Sequence, residues 1–164
     1  MKKLSKIKSF PMKMFVEWQY EYSLGREIMD RQHSHLAVIF NKVCELYFNT
    51  DEQTDLEQRS NQLHEQLNIL HEKTREHFNI EDDLMLRENY PGHTEHARNH
   101  LMLLAELKHY IRRVEKGLEN INIAALRSLK SWFISHIISD DKKFADFLRV
   151  HSQDELTLAH SVDR

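Results

Sequence analysis

Glycine and proline are scarce, with three and two in 164 residues. So few breakers, beside abundant Leu, Glu, Lys and Gln, suit an all-helical protein. The single cysteine, Cys44, rules out an internal disulfide and agrees with a reducing compartment. Its thiol is expected to be a small buried hydrophobe. No apolar run is long enough to span a bilayer. The basic start (Lys2, Lys3, Lys6, Lys8) has no apolar stretch behind it that would make a secretory signal. A net charge of only −3 provides no overall field for nucleic acid. These absences point to a cytoplasmic protein with neither a membrane nor a nucleic-acid partner. Histidine is the residue in excess, at 12.

The length suits a single domain over 1–164. Residues 1–25 read as an N-terminal arm, with Phe15, Val16, Trp18, Tyr20, Tyr22 and Leu24 offering apolar surface to pack on the rest. Four amphipathic helices are predicted within 26–149, and residues 150–164 form a polar tail. The first helix, from about 26 to 48, has the apolar stripe Leu36, Phe40, Val43, Tyr47, and His33 sits three residues before it. The second carries Leu63, Leu67, Leu70, Thr74, His77, Glu81 and Leu84, and ends before Pro91. A capping signal at Thr54 and Glu57 suggests an early start, so residues 50–61 are loop, helical extension or both. The third helix runs from near Gly92 to about Lys116, with Gly117 as its stop. Its stripe is His93, His96, His100, Leu103, Leu107, Tyr110, Val114. The fourth, 123–149, shows Leu126, Leu129, Phe133, His136 and Asp140.

Four such segments with short connections make an up-down-up-down four-helix bundle. That topology gathers the start of the first helix, the end of the second, the start of the third and the end of the fourth at one pole. His33, Glu81, His96, His100, His136 and Asp141 then all lie within roughly 6–20 Å of it, at 1.5 Å rise per residue.

Six polar groups stand where leucine is expected: His33, His77, Glu81, His96, His100 and His136. Burying one without a partner costs roughly 2–7 kcal/mol, against a net stability of about 5–15 kcal/mol for a domain. Singly, a core histidine bonded to a carbonyl, or Glu81 in a helix salt bridge, would be ordinary. Coincidence in stripe and depth is what argues for a shared partner. Neutral imidazoles with carboxylates make a ligand set for a transition metal, whether iron, manganese, zinc or copper. The number of donors favours two metals bridged by carboxylates. His35, His64, His71 and His109 fall off the stripes and are expected at the surface, with His93 at the rim. The chain has one Glu-x-x-His motif, Glu106 to His109, with its histidine off the stripe, so a carboxylate-rich oxidase or iron store fits poorly. A histidine-rich site favours reversible dioxygen chemistry. In the fourth helix, periodicity pairs His136 with Asp140, since Asp141 is turned roughly 140° away on an ideal helix.

These residues resemble the hemerythrin family, in particular its single-domain bacterial members, over roughly Trp18 to Phe144. The resemblance rests on Asp30-Arg-Gln-His33 with Leu36 and Asn41, on His77-Phe78-x-x-Glu81 with Leu84-Met85, and on Tyr90-Pro91. It continues through His96-x3-His100, Trp132-x3-His136-Ile137 and Asp141-Lys142-Lys143. The resemblance implies two non-haem iron ions joined by an oxo or hydroxo group. His96, His100 and His136 would hold one iron. His33 and His77 would hold the other, leaving a position for dioxygen. Glu81 and Asp141 would bridge, the family pattern choosing Asp141 where periodicity chooses Asp140. Trp132 would wall the dioxygen pocket.

The expected function is reversible dioxygen binding for storage, delivery or sensing, without catalysis. A sensing role would need a separate protein partner. The alternatives are a di-iron enzyme reducing peroxide or nitric oxide, and an iron-handling protein. Against the first, Glu81 and Asp141 are already committed as bridges, leaving no clear acid or base. Against the second, the site is saturated by buried ligands.

Overall fold

A computed structural model of the chain describes residues 15–48 and 56–151. Helix α1 spans Glu27–Phe48, α2 Leu56–Arg87, α3 His93–Glu115 and α4 Ile123–His136. A π-helical segment, Ile137–Asp141, follows α4, and the chain stays helical over 142–151. There is no strand among the described residues. The architecture is the expected all-α four-helix bundle, and no described helix is long and apolar enough to cross a membrane.

Helix ends fall where the backbone can be capped. At the end of α2, Asn89 adopts φ 53°, its N–H reaches Leu86 O, and the Tyr90 N–H reaches Met85 O. Gly117, at φ 67°, repeats this paired closure on α3, with bonds from Gly117 to Val114 and from Leu118 to Arg113. Both are left-handed C-terminal caps, the second on the residue expected as the stop. Asn122 caps α4 by accepting the Ala125 N–H at 2.9 Å.

The start of α2 at Leu56 makes residues 56–61 helical extension. Residues 49–55, including Thr54 of the capping signal, lie outside the described residues. The extension has a structural use: Arg59 donates Nε to Leu46 O at 3.0 Å and Nη2 to Tyr47 O, satisfying carbonyls in the last turn of α1.

The described part of the arm packs on the bundle. Val16 is buried, and Phe15, Trp18, Tyr22 and Leu24 pack against the core. Asn41 of α1 holds Val16 at both backbone groups, accepting its N–H at 2.7 Å and donating to its carbonyl at 2.9 Å. Asp30 accepts from Ser23 Oγ and the Leu24 N–H, both at 2.7 Å. Residues 1–14 and the tail 152–164 lie outside the described residues, and 150–151 are helical rather than tail.

The interior is layered along the bundle. A large apolar cluster including Leu36, Phe40, Leu67, Leu70, Leu107, Leu126 and Phe133 fills one end. A smaller one, Met29, Met85, Phe144 and Leu148, closes the other. Between them, on all four helices, lies a layer of histidines and carboxylates.

Candidate metal centre

Five of the seven residues come to this layer through simple helical spacing. His33 follows Met29 by one turn on α1. His77 and Glu81 stand one turn apart on α2, as do His96 and His100 on α3. His136 ends α4 proper, and Asp141 reaches the layer by a different route. The Lys142 N–H bonds to Ile137 O, five residues back, so the helix is wider there by one residue. That extra residue brings positions 136 and 141 onto one face. Asp141 is fully buried, whereas Asp140, a quarter exposed, bonds Lys143 and Asn99 at the edge.

All seven side chains are between 0% and 7% exposed. They fall into two overlapping groups with ligand atoms close enough for one ion each: Glu81, His96, His100, His136 and Asp141, and His33, His77 and Asp141. Asp141 faces both: Oδ2 is 3.0 Å from His33 Nε2, and Oδ1 is 3.0 Å from His136 Nε2 and 3.2 Å from His96 Nε2. Glu81 Oε2 also spans them, 3.4 Å from His100 and 3.7 Å from His77.

The donor chemistry fits a cation in this layer. Nε2 of His33 and of His77 face each other at 2.9 Å, and those of His100 and His136 at 3.0 Å. His77 Nδ1 meets the Gln32 carbonyl oxygen at 3.0 Å, and His100 Nδ1 meets Asp82 at 2.8 Å. Each of those Nδ1 atoms must therefore carry a proton and donate it outward, which leaves the inward Nε2 as the nitrogen able to offer a lone pair to a cation. Both oxygens of Glu81 and both of Asp141 are buried with no hydrogen-bond donor. Lone pairs converging on unsatisfied carboxylates call for positive charge between them.

Protonation relieves this arrangement only in part. Burial, with help from the neighbouring histidines, holds His77 well below the ordinary imidazole range. Burial also pulls on His100, but its hydrogen bond to Asp82 and the nearby Glu81 carboxylate outweigh it and push it up to about 9. Asp141 is likewise raised by burial, yet the imidazoles of His136, His33 and His96 close against its oxygens hold it well below the usual carboxylate range. His77 and His100 are thus driven in opposite directions within one cluster.

Aromatic rings shield the layer. Phe78 stacks on His100 at 3.7 Å and lies 5.2 Å from His136. Trp132 stacks parallel to His136 at 6.4 Å, on the three-histidine side. The rings beside His33, at 6.2 and 6.5 Å, are Trp18 and Phe133. The tryptophan singled out from the sequence therefore stands by one metal group, and the arm supplies the tryptophan beside the other.

The geometry has counterparts. The family model described as the hemerythrin HHE cation binding domain matches residues 24–148. The chain belongs to the hemerythrin family. Among curated relatives, it is 26% identical over 134 residues to a bacteriohemerythrin of Stenotrophomonas maltophilia, covering 82% of each chain. A bacteriohemerythrin of Pseudomonas aeruginosa is 27% identical over 139 residues, covering 85% of this chain and 84% of that one. A solved wild-type hemerythrin shares the fold with a TM-score of 0.70 at 20% identity, over 80% of this chain and 95% of that one.

Of the other histidines, His35 and His109 are exposed, as expected, and His93 is half-buried and outside the cluster. His71 is a correction: expected at the surface, it is 8% exposed, its Nδ1 3.3 Å from Glu72. α2 packs against both α1 and α3, so its buried face is wider than one stripe. Gln32, although within the Asp30-Arg-Gln-His33 motif, and Asp82 have no role assigned from the sequence. They touch the cluster only through histidines on other helices, a relation that no spacing within one helix reveals.

Proposed function

We propose that the chain is a single-domain, non-haem di-iron protein that binds dioxygen reversibly, for storage, delivery or sensing. The observation that carries this reading is the two-sided Asp141, one oxygen toward His33 and the other toward His96 and His136, with Glu81 spanning the same gap. In this reading His96, His100 and His136 hold one iron and His33 and His77 the other. Glu81 and Asp141 would be shared between the two. When bound, an iron pair would supply reversible electron transfer to dioxygen.

The protein's own residues do the rest. Two histidines against three leave the His33–His77 side with fewer donors, so a metal held there would have room for a further ligand. Trp18 and Phe133 flank His33 and keep water from that side, which favours release over irreversible oxidation. Trp132 and Phe78 do the same for His136 and His100. The apolar clusters at either end seal the layer lengthwise. Both buried carboxylates are spent as bridges, which supports carriage over turnover of peroxide or nitric oxide.

The test is optical. Reduced, anaerobic protein should be colourless, gain a visible absorption band in air and lose it under vacuum. Irreversible oxidation within seconds would contradict the proposal. His77→Ala should abolish the band, and unchanged dioxygen binding in that variant would refute the assignment of His77.

A further inference from the structure

The two metal groups differ in what stands behind their histidines. On the three-histidine side, His100 is fixed on three fronts: Nε2 faces the cluster, the ring lies on Phe78 at 10°, and Nδ1 meets the Asp82 carboxylate at 2.8 Å. His136 has a looser version, with Nδ1 3.5 Å from Asp140, a carboxylate shared with Lys143 and Asn99. That separation is not a hydrogen bond, since His136 Nδ1 has no hydrogen-bond partner. On the two-histidine side, the partner of His77 is the neutral amide of Gln32 at 3.0 Å, and His33 Nδ1 is buried with none.

A carboxylate accepting the outward N–H pushes electron density onto the inward nitrogen and makes it a stronger donor to a cation. A neutral amide does so less. We propose that Asp82, acting through His100, sets the three-histidine position as the tight metal site, while the neutral Gln32 behind His77 keeps the two-histidine position the weaker one. Both are positioning residues, as neither faces the layer itself. This inference rests on the two-metal reading above and adds to it an order of filling. The tightly held metal takes the closed position, and the position with room for a ligand is the one with the weaker grip.

Metal-free, full-length protein titrated with Co2+ tests this, followed by cobalt visible absorption and by calorimetry. The wild type should fill in two separable steps. Asp82→Asn keeps an acceptor for the His100 N–H but removes its charge. It should weaken the first step by about 10–100-fold and leave the second unchanged. Gln32→Glu adds the missing charge on the other side and should tighten the second step by about tenfold, with the first unchanged. Gln32 is half-buried near the surface, so this variant serves even if Asp82→Asn folds poorly. A purely structural role would move both steps together. If Asp82→Asn leaves the first step intact, or either variant shifts both steps alike, the inference is overturned. A wild type that binds only one cobalt overturns the two-metal reading itself, and that outcome is visible before any variant is made.

Discussion

The same four helices build two neighbouring layers by opposite means. In the apolar layer, α2 contributes Leu63, Leu67 and Leu70, each at most 7% exposed. About two to three turns further on, the same face contributes His77 and Glu81, equally buried. The leucines gain free energy from burial alone, roughly 1.5–3 kcal/mol for each side chain. The histidines and carboxylates lose it unless something shares their lone pairs. The apolar layer therefore supports the fold, and the polar layer draws on that support until it is loaded. Experiments that separate the two layers should show this division.

The largest effect should come from the metal. Loading both positions at a thousandfold excess over their dissociation constants should raise unfolding free energy by about 4 kcal/mol per site, and a chelator should reverse it. Denaturant melts with and without metal measure this; equal midpoints would mean the polar layer is satisfied on its own. Next in size, Leu67→Ala should cost about 2–5 kcal/mol while metal content stays at the wild-type value. A loss of metal in parallel would show that the layers are not separable.

A smaller effect should appear with pH in the metal-free protein. His100 has a folded value raised above its unfolded one, so its stabilising contribution is complete below about 6.5 and disappears as pH rises through about 9. The loss across that window should be on the order of 3 kcal/mol. His77 is shifted down, so its contribution is complete above the ordinary imidazole range and falls away on acidification below it. Metal-free stability should then peak near the ordinary imidazole value, as read from melts across pH. Metal loading should flatten the alkaline limb, because the His100 Nε2 lone pair is then occupied.

The smallest effect concerns neighbours in sequence. Asp140→Asn should leave metal content unchanged and stability within about 0.5 kcal/mol, as for a surface substitution. Asp141→Asn, one residue on, should remove at least one metal per chain. Elemental analysis of the two variants side by side checks both.

That neighbouring pair also shows what the sequence could reveal. The four helices and most of the cluster follow from a 3.6-residue period: His33, His77, Glu81, His96, His100 and His136 all stand on apolar stripes. Asp141 does not, and helical arithmetic favours Asp140. The π-helical turn at Ile137–Asp141 reverses that preference, and nothing in the local pattern of a single helix announces such a turn. The family motif carries the answer because it already contains the extra residue. Gln32 and Asp82 were hidden for another reason, since their partners lie 45 and 18 residues away on other helices. His71 misled because a stripe counts one row, whereas a helix between two neighbours buries more than one.

In the proposed function this polar layer holds two irons, shared through Glu81 and Asp141. Its most direct test is elemental analysis of full-length protein purified from iron-replete cells with no metal added. The account predicts two iron per chain; one zinc per chain would contradict it.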